Sequence, residues 1–443
     1  MKPSISLKKK FLIKNIKSLI APPNFSEIDC SRLASFYLCP FAPTKGNAKL
    51  LYYLDKLEYL RVLFFSTLVD FLKTLRSGEI KTIKSEHVKK HSSIVVNWAT
   101  KNDFDEKGNF YDKHFNISSK QCPDILWYLI YSDSVLPNII GENLAIVFTK
   151  KKTFSLFHFK QIIIDIFKGK KKFKNLINEI SDFSILSSYV YKDIENYISE
   201  KTKKLVMPYE GQPFQNSIFH KIRSLKKDIE SYGYIHSFPI GLPSNLFKRS
   251  GHPKKLIING VSQEYCLSKY FGWSKKELSV LPSSRLKKNI KNNMKNKIFL
   301  PINFRSRTII AKSLKDLIQY KKEFNFSKIE LRNHPSCSKS NKHLNLMKDI
   351  KKIINTHDHS DRKDVINFSV FIGATGSVIE ALERGIEVFH ISENPVVETY
   401  DNEVWKYLKC TQISRNLFKY EKLDDNKLIM FSEDETIYKK YVY

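Results

Sequence analysis

The pattern of apolar and polar positions is most legible in the second half of the chain, where short β-rich runs alternate with stretches of helical period. Lys255–Asn259 reads as a strand and Ser262–Phe271 as a helix, with Ser279–Pro282 closing that unit. Ile298–Asn303 is a strand and Thr308–Phe324 a helix; Lys328–Arg332 is a strand ending at Asn333-His334-Pro335, and Leu344–Ile354 a helix. Val365–Ile372, Ser377–Arg384 and Ile386–Ile391 continue as strand, helix, strand. Strands alternating with helices of this length predict βαβ units and a mainly parallel sheet. Ligands of such sheets bind outside the carboxyl ends of the strands, so the informative loops are those directly after strands.

The first half predicts helices over Lys49–Leu75 and Asp193–Lys204, and strands over Ile139–Thr149 and Lys203–Pro208. A helix is expected over Pro213–Lys227 and a strand over Tyr232–His236. Pro243, Ser244, Gly251 and Pro253 make the stretch Leu242–His252 rich in breakers. The domain boundary is expected there, dividing the chain into 1–245 and 246–443.

Composition narrows this picture. A length of 443 residues allows two or three domains, and 42% hydrophobic with 13% aromatic residues supplies full cores, which excludes a disordered chain. The excess of 75 Lys+Arg over 45 Asp+Glu, +30 in net, favours anionic partners such as nucleic acid, an acidic membrane surface or phosphorylated substrates. The densest runs, Lys8–Lys10, Lys150–Lys152 and Lys170–Lys172, read as solvated faces. Six cysteines without a CxxC pair argue against a structural zinc site and a disulfide framework, and fit a reducing compartment. The basic N-terminus is broken by Lys14 and Lys17 and lacks a signal-peptide core, and no run of apolar residues is long enough to span a bilayer. A cytoplasmic protein is expected, with peripheral association to an anionic membrane as a further expectation.

Four loops carry candidate chemistry. Phe371–Gly385 runs from a strand through a turn with Gly373, Thr375, Gly376 and Ser377 into a helix; its amides and helix dipole suit a phosphate. The same residues also fit a capping box of Ser377 with Glu380. His334-Pro335 puts an imidazole at a strand end, where it can donate to a departing phosphate. Arg305 and Arg307, also after a strand, suit a pyrophosphate or carboxylate, or simply a solvated loop. In the first half, Glu210 stands at a strand end with Gln212 and Pro213 after it, and His236-Ser237 ends the next strand. Glu210 can take a proton from a hydroxyl, or can serve only as a helix N-terminal acid, and His236 or Asp228 is next in line for the same task. Asp103-Phe-Asp105, the only Asp-x-Asp, has no strand leading into it and reads as a solvated loop.

With these residues in place, the segment Leu205–Ser392 resembles bacterial surface-carbohydrate glycosyltransferases of the GT-B type. Glu210-Gly-Gln212-Pro213-Phe214 and Gly233-Tyr-Ile-His236-Ser237 are similar to segments of O-antigen proteins. His334-Pro335 with Thr375-Gly376-Ser377 is similar to the motifs that hold the phosphate of a CMP-sugar in sialyltransferases and Kdo transferases. Those families carry adjacent hydroxyl residues where Gly376 separates Thr375 from Ser377 here, and a UDP- or GDP-sugar is the alternative donor. The resemblance implies an α/β fold of two Rossmann-like domains facing across a cleft. It implies a nucleotide-sugar donor bound by Arg305, Arg307, His334, Pro335, Gly373, Thr375, Gly376, Ser377 and Glu380. It further implies a glycan or lipid-linked acceptor near Gln212, His236 and Ser237, catalysis by Glu210 and His334, and no metal or other cofactor. The rival readings are a CDP-polyol phosphotransferase, a sugar-nucleotide epimerase, and a nucleic-acid-binding protein. Against the last, no helix-turn-helix, zinc or RNP-type signature is present.

Overall fold

In the computed structural model of the chain, the described residues are 4–20, 68, 72, 79–85, 91–133, 135–149, 160, 164, 167, 182–226, 228–249, 251–287, 294–334, 337, 340–356, 367–424 and 427–432. Apart from residues 68 and 72, the helix expected over Lys49–Leu75 lies outside them, as do Pro335 and the runs Lys150–Lys152 and Lys170–Lys172.

The architecture is α/β, with two larger sheets. The strands of the first are β1 (Ile80–Lys84), β2 (Ser93–Ala99), β5 (Ile125–Tyr131), β6 (Leu144–Thr149), β7 (Lys204–Pro208), β8 (Glu230–Tyr234), β9 (Lys255–Ile258) and β10 (Leu278–Val280). They lie in the order β1-β6-β5-β2-β7-β8-β9-β10, every pair parallel except β1 with β6. A small hairpin, β3 (Tyr111–Asp112) with β4 (Ile117–Ser118), projects between β2 and β5. The second sheet has the order β13-β12-β14-β15-β17-β16. Its strands are β12 (Lys297–Phe299), β13 (Glu330–Arg332), β14 (Phe368–Ile372), β15 (Glu387–Ile391), β16 (Leu408–Ser414) and β17 (Leu417–Lys422), the first four parallel and the last two antiparallel. Between the sheets β11 (Ser283–Lys287) pairs with β18 (Phe431–Ser432).

The helices are α1 (Ile5–Ile20), α2 (Asp182–Asp193), α3 (Pro213–Leu225), α4 (Val261–Tyr270), α5 (Arg307–Tyr320), α6 (Asn341–Thr356), α7 (Ser377–Glu383) and the single turn α8 (Pro395–Glu398). Where a helix was expected over Asp193–Lys204, α2 instead ends at Asp193, a 3-10 turn follows to Tyr197, and Lys204 already opens β7.

β9 and β10 hydrogen-bond within the first sheet, so the chain changes sheet after Val280 and not at Leu242–His252. The breakers at 243–253 do make a loop: Ser244–Leu246 is a 3-10 turn, and buried Arg249 donates to the Gly211 carbonyl at 2.5 Å. Turn chemistry marks where a strand stops, but not which sheet the next strand joins.

The two sheets share a continuous hydrophobic core. Phe238, Ile240 and Leu242 pack in one cluster with Val378, Ile379, Tyr400 and Trp405, and α1 adds Leu12, Ile13 and Ile16 to it. Gly376 stands at one close approach, where a Cβ would lie 2.0 Å from the Phe238 carbonyl oxygen. Gly376→Ala is therefore expected to cost about 1–3 kcal/mol by overpacking. Thermal unfolding measures this, and an unchanged melting temperature would show that the Phe238 segment yields.

α1 is fixed by a buried charge. Lys9 is fully buried, with its ammonium 2.7 Å from Asp401 Oδ2, 3.4 Å from the Gly241 carbonyl and bonded to the Thr399 carbonyl. The Lys8–Lys10 run is thus not uniformly a solvated face. Positions 9, 12, 13 and 16 share one helix face, and that face is the buried one.

Candidate functional site

A cavity of about 620 Å³ opens between the carboxyl ends of β7 and β8 on one side and of β12, β13 and β14 on the other. Glu210, His236, Ser237, His334, Thr375, Gly376, Ser377 and Glu380 all line it. Two loops of the first sheet and three of the second thus converge on one space.

The Glu210 turn is held by side chains buried beneath it. Gln215 accepts from the Glu210 and Gln212 amides, each at 3.0 Å, and donates to the Pro208 carbonyl at 2.7 Å. Asn245 donates to the Glu210 carbonyl at 2.6 Å. The carboxylate, 40% exposed, faces the cleft. Gln212, which does not itself line the cavity, donates to Glu210 Oε2 at 2.7 Å. His236 Nε2 lies 3.5 Å from Glu210 Oε1. Enclosure by the surrounding protein raises the Glu210 pKa above its ordinary 4.5, against the Gln212 hydrogen bond and the Arg285 charge, which pull it down. Burial and the Arg285 charge lower His236 to about 4, so its ring is neutral near pH 7. The His114 ring, from the β3–β4 hairpin, packs against it with centroids 4.4 Å apart and planes tilted by 52°, and is lowered by burial, His236 and Arg285 to about 3. Asp228, the alternative base, does not line the cavity and lies 3.9 Å from Lys226.

On the opposite wall, Asn333 and His334 leave the end of β13 in a turn closed by the Cys337 amide, which donates to the His334 carbonyl at 2.9 Å. Burial and the neighbouring His343 lower the His334 pKa, favouring the neutral ring. Arg332, at the strand end, lies 5.7 Å over the Phe299 ring, which stacks on Phe371 at 4.6 Å. Gly373 does not line the cavity but shapes the turn beside it. Its φ of +73° is a left-handed conformation that disfavours a side chain. Its carbonyl accepts from His390 Nε2 at 2.7 Å. His390 is buried and neutral, its pKa lowered to about 4 by burial, and its Nδ1 meets the Tyr420 hydroxyl at 3.1 Å.

The residues after Gly373 differ from expectation in three ways. Ser377 N–H donates to Thr375 Oγ1 at 3.2 Å, so that amide is already partnered. The residue capping α7 is Gly376, without a side-chain cap, and Glu380 instead pairs with Arg384 at 3.2 Å, so no capping box forms. α7 has only seven residues, which leaves little helix dipole for an anion.

Arg305 and Arg307 do not line the cavity. The Arg305 amide donates to the Glu393 carboxylate at 2.9 Å, and the Arg307 guanidinium pairs with Asp349 at 3.2 Å on the surface of α5. After Ile302 the chain turns away to start α5, whose N-cap is Ser306. The arginines that do face the cavity are Arg285 and Arg332. Position at the end of β13 was an available signal for Arg332. For Arg285, in a connecting strand, the sequence carries none. Asp103 and Asp105 are engaged elsewhere: Asp103 accepts from Thr100 N at 2.8 Å and pairs with Lys113, and Asp105 Oδ1 accepts from the amides of Lys107 and Asn109 at 2.9 and 2.8 Å.

The chain matches no family model and no curated protein. Among solved structures it is similar to a glycosyltransferase from Rickettsia africae ESF-5, at 10% identity and a TM-score of 0.31, over 68% of this chain and 85% of that one. It is also similar to the N-terminal domain of trehalose-6-phosphate phosphatase from Candida albicans, at 10% identity and a TM-score of 0.34, over 70% of this chain and 84% of that one. Likenesses of this size carry no argument about mechanism.

Proposed function

We propose that the chain is a GT-B glycosyltransferase that moves a sugar from a nucleotide-sugar, with CMP-sugars favoured, to a surface-polysaccharide or lipid-linked glycan acceptor. The observation that carries this reading is the convergence of Glu210 with His334 and Thr375–Ser377 on opposite walls of one cavity. The acceptor hydroxyl would lie beside Glu210, His236 and Ser237, and its oxygen would attack the anomeric carbon as the bond to the donor phosphate breaks. The hydroxyl proton passes to Glu210, whose raised pKa makes it a better proton acceptor than an ordinary glutamate. Negative charge that develops on the leaving phosphate is met by Arg332 and by donation from neutral His334, with the Thr375 and Ser377 hydroxyls alongside. Arg285, within the field of Glu210 and His236, offers a second cation to an anionic group on the sugar or acceptor.

A thermal-shift series with CMP, CDP, UDP and GDP tests the reading, because a ligand that binds only the folded state raises its melting temperature. One nucleotide should stabilise the chain; no shift with any of them counts against a nucleotide-sugar donor. His334→Ala should lower turnover about 10²-fold or more while the melting temperature changes little. Parallel losses of activity and stability would assign His334 to packing.

A further inference from the structure

We propose that the outer face of α1 docks on an anionic lipid surface, with Leu7 and Phe11 inserted and Lys8, Lys14 and Lys17 at the headgroups. The inference does not depend on the reaction proposed above. Leu7 and Phe11 are one helical turn apart and therefore adjacent on the helix surface. They are 58% and 60% exposed, among the most exposed large apolar side chains of the described residues. At 100° per residue, Lys14 lies beside Leu7 with Lys10 and Lys17 beyond it, and Lys8 flanks the other side. All four lysines are exposed, and Lys10 is held by Glu403 at the rim.

The setting of α1 explains why this strip faces outwards. Leu12, Ile13 and Ile16 are 3% exposed or less on the opposite face, and Lys9 is bonded there to Asp401 and to the Gly241 and Thr399 carbonyls. Rolling the helix to hide Leu7 and Phe11 would strip a buried ammonium of every one of those partners. An apolar strip flanked by lysines on a fixed helix is the form of an interfacial helix, and the net charge of +30 adds attraction to an acidic bilayer. Among the described residues no helix is long and apolar enough to cross a membrane, so this contact is one of lying on the surface. Two inserted side chains are a weak anchor by themselves, and the lysines supply the second signal that stable docking requires.

The test is co-sedimentation of the full chain with vesicles of phosphatidylcholine mixed with phosphatidylglycerol, and with vesicles of phosphatidylcholine alone. Binding is expected to the mixed vesicles only. Lys8→Gln with Lys14→Gln should lower the partition constant about 25-fold, at about five-fold per lysine. Leu7→Ser with Phe11→Ser should lower it at least about ten-fold. Phe11→Trp, which keeps the apolar bulk, should be quenched by brominated acyl chains in the mixed vesicles, so that insertion is read even if the serine variants fold poorly. Equal binding to both vesicle types, no binding, an unquenched Phe11→Trp, or full binding by either double variant would each overturn the proposal.

Discussion

Lys9→Met is expected to destabilise the chain by about 3–5 kcal/mol, the cost of breaking a buried ion pair from one side. The substitution keeps the aliphatic bulk in place but leaves Asp401, 6% exposed, as an uncompensated buried anion. It also removes the donor that serves the Gly241 and Thr399 carbonyls. Asp401→Leu alone should cost a similar amount, because the ammonium is then the orphan. Combining the two should recover much of the loss, since an apolar pair of similar volume replaces a charged one. Denaturant unfolding of the three variants checks this. If the double variant is as unstable as the sum of the singles, the pair is not the source of the effect. Acid should act through the same contact. Burial raises the Asp401 pKa, but attraction to Lys9 and its hydrogen bond bring it below the ordinary 3.8. A carboxyl with a lowered native pKa contributes stability above its unfolded value and loses it as pH falls through the native one. The pair should therefore hold across the neutral range and fail only in strong acid.

Glu210→Gln should slow sugar transfer about 10²- to 10⁴-fold, the usual worth of a general base. The amide keeps the shape and can still hydrogen-bond to Gln212 and His236, but it cannot hold the acceptor proton. Nucleotide affinity should survive, because the residues proposed to hold the donor, His334 and Thr375–Ser377, line the opposite wall. The wild-type rate should rise with pH as Glu210 ionises, along a limb displaced above the ordinary glutamate range, and that limb should vanish in the variant. Stability should move the other way. The native state holds the Glu210 proton more tightly than the unfolded chain, so ionisation costs folding free energy as pH rises. Glutamine has no such cost, and the melting temperature at neutral pH should hold or rise while activity falls. Activity within a few fold of wild type, or loss of nucleotide binding together with turnover, would remove Glu210 from the role.

Much of the site was legible because it lies where a parallel sheet presents its loops. β7, β8, β13 and β14 could each be read from their apolar runs, and the residues following them, Glu210, His236, His334 and Thr375–Ser377, meet in the cavity. The placement of the strands was less legible. β2 and β5, which lie side by side in the first sheet, were missed, although Ile125–Tyr131 is apolar throughout and fully buried. A strand covered on both faces has no alternation to read. Arginines were harder still. In a chain this basic, Arg305 and Arg307 look as suitable as Arg285 and Arg332, and only the path of the backbone separates them. Lys9 shows a signal that was present but outweighed: its spacing to Leu12, Ile13 and Ile16 marks the buried face, yet it sits inside a run of three lysines.

The contact between α1 and the Thr399–Asp401 loop joins residues 390 positions apart in the chain. During synthesis the helix emerges well before its partners. At about 5–20 residues per second, roughly 20–80 s separate the two events on the ribosome. Through that interval Leu12, Ile13 and Ile16 have no Tyr400 or Trp405 to pack on, and Lys9 has no Asp401. The nascent helix is then apolar on two faces, Leu7 and Phe11 on one and the future core on the other. An acidic bilayer or a chaperone that captured it then would have to release only the inner face when the second sheet is complete, which makes closure of the Lys9–Asp401 pair a late step of folding.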